Sequence, residues 1–289
     1  MGIERNYNSD NQLEPTPAVL YIVGTPIGNL SDFSPRAKNL LSKVSIIACE
    51  DTRHSGMLFK RFKIKASLIS FHKNNFQARI PTLLEALRKG ETLALVSDAG
   101  LPGISDPGEE LVAASRNNGH RVICIPGPCA ATTALVSSGL PIKRFCFEGF
   151  LPSKTKHRNL ILKSIAQEKR TTIIYEAPHR LLKLLKELSL LCGEGRPIQV
   201  ARELTKKHEE QIGPTIGKAL KYFLENKPRG EFTIVLGGAP TEEINPKSDE
   251  ELLESMNNLI SNGLSKSFAA KELATKTGYS KNYLYSLLH

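Results

Sequence analysis

Five short apolar runs punctuate the first half of this chain: VLYIV at 19–23, SIIAC at 45–49, ASLIS at 66–70, TLALVS at 92–97 and RVICI at 121–125. A short apolar run bounded by turn signals suits a strand buried on both faces. The stretches between them are amphipathic and long enough for helices. Strands and helices in alternation build a mostly parallel α/β sheet. Ser34-Pro35 and Asp106-Pro107 each read as an N-cap followed by proline at the first helical position, and Gly119 as the glycine ending the second of these helices. The rhythm restarts with strand candidates at 144–148, 171–175, 197–201, 207–213 and 232–237, separated by helical patterns at 154–167, 178–192 and 215–226. The expected class is α/β: two successive α/β/α domains with a ligand cleft between them, plus a small C-terminal helical domain. The expected boundaries are a disordered leader at 1–17, α/β domains at 18–139 and 140–240, and a helix-turn-helix-like domain at 241–289, with a hinge near Ser138-Gly139-Leu140-Pro141.

In the tail, 241–262 is acidic and helical. Ala274, Gly278 and Leu284 fall at helix-turn-helix offsets: a small residue in the first helix, glycine in the turn, an apolar residue in the second. A plain helical hairpin packed on the body is the competing reading.

Charge bears on the partner. The net charge is +10, and the excess is densest at 143–210, which carries +7. A polyanionic partner accounts for this, and so does simple solubility. No stretch approaches the roughly 20 apolar residues of a membrane helix, and the polar start MGIERNYNSDNQLEPTP has no signal-peptide core. Five scattered cysteines (Cys49, Cys124, Cys129, Cys146, Cys192) read as reduced, mostly buried thiols. A cytoplasmic location is expected.

Four loops follow strand ends, where α/β proteins place ligands. Gly24-Thr25-Pro26-Ile27-Gly28-Asn29-Leu30 is neither a dinucleotide fingerprint nor a P-loop, yet its glycines let backbone approach a ligand. Glu50-Asp51-Thr52-Arg53-His54 puts two carboxylates, an arginine and a histidine at one strand end, either as a loop-fixing ion pair or for substrate positioning and proton transfer. The run 97–108 holds three glycines, two prolines and two aspartates. Asp106 is assigned to the helix cap, which leaves Asp98 as the ligand candidate. Ile125-Pro126-Gly127-Pro128-Cys129-Ala130-Ala131-Thr132 opens a helix with small residues whose amides can meet a polar ligand.

In order, LYIVGTPIGNLSD, ACEDTR, SFHKNN, LVSDAGLPGISDPG, IPGPCAATTAL and IIYEAPHR closely resemble the tetrapyrrole-methylase-like, class III S-adenosylmethionine-dependent methyltransferases over residues 18–240. The first loop reads GTPIGN where tetrapyrrole enzymes have a GxGxGD-like loop, and the third reads SDAG where they have a GGDP-like one. Those departures fit the subgroup that methylates the ribose 2′-hydroxyl of a cytidine in the decoding region of 16S rRNA. The tail resembles the extra C-terminal domain of the same enzymes.

The resemblance implies S-adenosylmethionine as cofactor, 16S rRNA as partner (within the small ribosomal subunit) and a homodimer. It marks Ile27, Ser97, Asp98, Leu101, Cys129, Ala130, Glu176 and Leu204 for the cofactor. Candidate bases for the hydroxyl are Glu50, Asp51, His54, His72 and Glu176, with Asp51 and His72 first and Arg53 beside them. Lys154, Lys156 and Arg158 near one helix start, Arg180 and Arg202 by strand-end loops, and Lys266 and Lys281 in the tail are candidate RNA contacts. Two other classes remain: a small-molecule methyltransferase acting on a tetrapyrrole, and a non-enzymatic regulator that binds nucleic acid through the tail.

Overall fold

A computed structural model describes residues 14–240 and 248–288. The chain divides at Ala239–Pro240 into two compact units. The larger holds two five-stranded sheets. The first comprises β1 (Val19–Val23), β2 (Ile46–Cys49), β3 (Ser67–Ser70), β4 (Leu93–Val96) and β5 (Arg121–Ile125), in the order β3-β2-β4-β1-β5. Every neighbouring pair is parallel. The apolar runs form it because both faces are covered. Tyr21, Val23, Ile47, Ala94 and Val96 meet Phe33, Leu40, Leu41 and Phe59, from α1 (Pro35–Leu41), α2 (Thr52–Arg61) and the turn before α1. Leu20, Ile22, Ala48, Leu93 and Leu95 meet Leu83, Leu84, Leu87 and Leu111, from α3 (Phe76–Arg88) and α4 (Glu109–Asn117). Successive strand residues face opposite layers, so one apolar run feeds two cores.

The second sheet is mixed. It holds β6 (Phe145–Phe150), β7 (Thr171–Glu176), β8 (Ile198–Arg202), β9 (Glu210–Ile212) and β10 (Phe232–Leu236), in the order β6-β7-β10-β8-β9. Only β6 and β7 run parallel; the other three pairings are antiparallel. The short β8–β9 link permits nothing else, since a parallel pair needs a crossover of a dozen or more residues. One face is covered by α6 (Thr155–Gln167), α7 (Pro178–Cys192) and α8 (Ile216–Glu225). The other face receives α5 (Ala130–Ser137), whose Ala131, Ala134 and Leu135 pack on Ile173, Ala201 and Val235 together with Ile27. A helix that follows the first sheet in the chain thus joins the core of the second.

Several local expectations need correction. Ser34 caps α1 as read, but α4 starts at Glu109 with Gly108 as N-cap and no side-chain cap bond, so Asp106 is not its cap. The strand expected at 207–213 is confined to Glu210–Ile212. Order begins before Ala18: Glu14 pairs with Arg36 at 2.6 Å, and the Thr16 N–H donates to the Tyr21 hydroxyl; residues 1–13 of the expected leader lie outside the described residues. All five cysteines are free, but only Cys49 is fully buried, and Cys124 is exposed on the edge strand β5.

The loops after β1 and β5 nearly touch. A Cβ on Gly127 would sit 2.7 Å from the Gly24 Cα. Gly127→Ala is therefore expected to force two backbones apart, at about 1–3 kcal/mol. Thermal unfolding followed by circular dichroism should fall by roughly 2–4 °C per kcal/mol, while Gly195→Ala, in open space, should leave it unchanged.

The smaller unit is three helices: α9 (Asp249–Ser261), α10 (Lys266–Thr277) and α11 (Lys281–Ser286). Each has a serine cap, and Ser248 with Glu251 forms a capping box. Gly278, at φ 74°, ends α10 and turns the chain into α11. Leu284 is buried among Leu252, Met256, Ala269, Ala270 and Leu273, with Ala274 at the margin. The three offsets read from the sequence therefore fall where a helix-turn-helix has them.

Candidate active site

In a parallel sheet the C-terminal strand ends share one edge, and ligands bind there where strand order reverses. Here β1 lies between β4 and β5, and the three following loops meet. Thr25 and Gly100 exchange backbone hydrogen bonds of 2.9 and 3.2 Å, and the Thr25 hydroxyl donates to the Ser97 carbonyl. Beside them opens a cavity of about 360 Å³ whose far wall comes from the second sheet.

Ile27, Leu101, Ala201 and Leu204 make its apolar surface, and Asp98, Asp106 and Glu176 supply carboxylates. Of the eight residues marked for the cofactor, Ile27, Asp98, Leu101, Cys129, Ala130, Glu176 and Leu204 line the cavity. Ser97 does not. It is buried beneath, within 3.3 Å of the Ala99 and Gly100 carbonyls. α5 begins beside the cavity at Ala130 without a side-chain cap, and its Ala131 N–H donates to the Tyr175 hydroxyl at 3.0 Å. Burial raises the affinity of that phenol for its proton.

Of the five expected bases only Glu176 lines the cavity; Glu50, Asp51, His54 and His72 stand elsewhere. Asp51 is the N-cap of α2. It accepts the Arg53 N–H at 2.8 Å and pairs with the exposed Arg53 guanidinium at 3.1 Å, which holds its carboxyl below the usual range. This is the loop-fixing ion pair, and neither residue lines the cavity. His72 shapes the turn before α3: its N–H donates to Asn75 at 2.8 Å, and its Nδ1 accepts the Asn74 N–H. His54 is exposed on α2. Glu50 is half-buried; burial and the charge of Asp98 raise its carboxyl affinity for a proton.

Asp106 is the residue the sequence reading missed. It lines the cavity, and its carboxyl is pushed up to about 6 by burial first and then by the Glu50 charge, against a Ser97 hydrogen bond. The Asp-Pro dipeptide imitates a helix start two residues too early, which hid it.

The arginines expected at RNA are engaged by partners within the protein, and one of them is buried. Arg158 is buried on α6. It donates to Glu187 at 2.9 and 2.8 Å and lies 3.5 Å from Glu176, so it cannot reach a phosphate; this corrects its assignment. Arg180 binds Glu176 at 3.1 Å and the Leu151 carbonyl; Arg202 binds Glu210 at 2.7 Å and the Arg229 carbonyl. Lys154, Lys156, Lys266 and Lys281 are exposed.

The family model for tetrapyrrole (corrin/porphyrin) methylases matches residues 19–220. A ribosomal RNA small subunit methyltransferase I from Synechocystis sp. is 49% identical over 93% of this chain and 96% of its own length. The Haemophilus influenzae protein of the same name is 44% identical over 92% and 95%. Among solved structures, the methyltransferase CobJ superposes with a TM-score of 0.58 at 19% identity, covering 79% of this chain and 97% of that one. The Thermus thermophilus uroporphyrin-III C-methyltransferase, solved with S-adenosylhomocysteine, gives 0.54 at 18%, covering 75% and 96%. Those two carry the fold alone. By its strand-end motifs, the matched family model and near-full-length identity to its relatives, the chain belongs to the tetrapyrrole methylase family, on its ribosomal RNA small subunit methyltransferase I branch, and is a methyltransferase.

Proposed function

We propose that this protein transfers a methyl group from S-adenosylmethionine to the ribose 2′-hydroxyl of a cytidine in 16S rRNA. The observation that carries the reading is identity of 44–49% across 92–93% of the chain to relatives named ribosomal RNA small subunit methyltransferase I. The fold alone does not choose between RNA and a tetrapyrrole.

The cavity fits the cofactor. Ile27, Leu101 and Leu204 offer an apolar seat for a planar base, and Asp98 offers acceptors for hydroxyl and ammonium groups, while the Glu176 carboxylate is held behind the wall by Arg158 and Arg180. The Cys129–Ala130 backbone opens α5 where a polar group gains from amides. When bound, S-adenosylmethionine supplies a methyl group activated by its sulfonium. The chain must bring the acceptor oxygen in line and take its proton. Asp106, in the cavity wall, is pushed up to about 6 by burial and by the charge of Glu50, which suits it to take a proton near neutral pH. Exposed Lys154 and Lys156 on the body, with Lys266 and Lys281 at the starts of the two tail helices, supply charge for the RNA backbone. The reading extends to a homodimer working in the cytoplasm on the small subunit. Among the described residues no helix is long and apolar enough to cross a membrane.

The test is transfer of labelled methyl to undermodified small subunits, free 16S rRNA and a tetrapyrrole precursor in parallel. Label is expected on rRNA, falling as salt rises. Label on the tetrapyrrole alone overturns the proposal. A monomer mass by light scattering removes the dimer.

A further inference from the structure

β6 carries three half-exposed phenylalanines, Phe145, Phe147 and Phe150, and nothing in the methyl-transfer argument uses them. The strand is an edge of the second sheet and is interrupted by a bulge: Phe147 pairs with Ile173 and Gly149 with Ile174, leaving Glu148 as the extra residue. In an unbroken strand, residues three apart point to opposite faces. The bulge cancels that alternation. Both rings reach Tyr175, Phe147 with centroids 5.1 Å apart and Phe150 at 5.5 Å. The turn that permits this needs glycine: Gly149 has φ 60°, and a Cβ there would sit 3.0 Å from the Ser105 hydroxyl of the third loop. Ser105, Phe150 and Tyr175 all line the cavity. Tyr175 is pinned by Ala131, so it backs the shelf rigidly. Phe150 itself is 55% exposed at the mouth.

A 2′-hydroxyl that enters this cavity leaves its own base at the mouth, since sugar and base are joined by one bond. An exposed aromatic face there, followed in the chain by exposed Lys154 and Lys156 at the start of α6, has the composition of a single-strand RNA site: a stacking surface together with charge for phosphates. We propose that Phe150, backed by Tyr175 and Phe147, is the shelf on which the base of the methyl-accepting nucleotide stacks. This rests on the RNA reading above.

The experiment compares wild type with Phe150→Leu and Phe150→Tyr. It measures steady-state methyl transfer to undermodified small subunits, calorimetric affinity for S-adenosylhomocysteine, melting temperature and mass by light scattering. The leucine variant keeps apolar bulk without a π face. It is expected to raise KM for RNA by roughly tenfold or more, while the tyrosine variant stays within about threefold and cofactor affinity, melting and mass stay level in both. A leucine variant with wild-type KM overturns the shelf. So does loss of RNA affinity that tracks a halved mass, which assigns the face to a second copy of this chain. If wild type binds cofactor but transfers no methyl to RNA, the functional reading fails first and the shelf with it.

Discussion

Asp106→Asn is expected to give a protein that melts higher than wild type and transfers methyl groups about a hundredfold more slowly or worse. Both effects come from one carboxyl. Asp106 is half-buried in the cavity wall beside the charge of Glu50, which lifts its pKa to about 6. A carboxyl with a raised folded-state pKa binds protons more tightly in the native state. Its contribution to stability is therefore present at low pH and is lost as pH rises from the unfolded value near 4 through about 6. At neutral pH the ionised form costs the fold free energy. Because the group is partly solvated, we reduce that cost to about 1 kcal/mol, so asparagine should raise Tm by roughly 2–4 °C. On the function proposed above, the same ionised form would take the proton of the ribose hydroxyl. In wild type, kcat should fall as pH drops through about 6, and in the asparagine variant that acidic limb should vanish. Calorimetry and a pH–rate profile read the two arms. A variant with wild-type kcat and an intact limb overturns Asp106 as the base.

Arg158→Met should destabilise the larger unit by about 3–5 kcal/mol, the cost of leaving buried carboxylate without its partner. Arg158 is 2% exposed, bonded twice to Glu187 and set against the fully buried side chain of Glu176. Without the guanidinium, Glu176 keeps only Arg180 and the Ala177 N–H, at 3.1 and 3.0 Å. Melting is expected to fall by roughly 10 °C, and cofactor affinity with it, because Glu176 lines the cavity. Arg158→Met combined with Glu187→Met removes both charges of the closest pair and should recover part of the loss. A single variant that melts within 2 °C of wild type would show the network to be dispensable.

The central strands of the first sheet were legible because both their faces are covered, so β1, β2 and β4 are short apolar runs bounded by turn signals. The loops were legible because glycine and proline mark them. Asp106 was not, since Asp-Pro is a local signal and the true helix start is set by Leu111 packing against β4. Arg158 was read as surface charge, although it begins the buried stripe Arg158, Leu162, Ile165 of α6; that spacing, with Glu176 and Glu187 nearby in sequence, was the available clue. The antiparallel pairings of β10 with β7 and β8, and the β6 bulge, depend on partners far along the chain. Period and composition carry no record of them, and Phe150 could not have been placed beside the cavity from its neighbours.

The position of α5 bears on how the chain acquires its structure. Its Ala131, Ala134 and Leu135 complete the core of a sheet whose first strand begins only at Phe145. The second sheet thus depends on residues synthesised before it, and Ile27 from the first loop belongs to the same cluster. Cutting the chain at the glycine and proline of 139–141 would leave α5 on one fragment and the apolar face it covers on the other. The two sheets therefore share one core cluster: α6, α7 and α8 cover one face of the second sheet with residues of the second half alone, while its other face is covered only when α5 is present. The apparent duplication of α/β halves is a repetition of pattern in which the second member borrows a helix from the first.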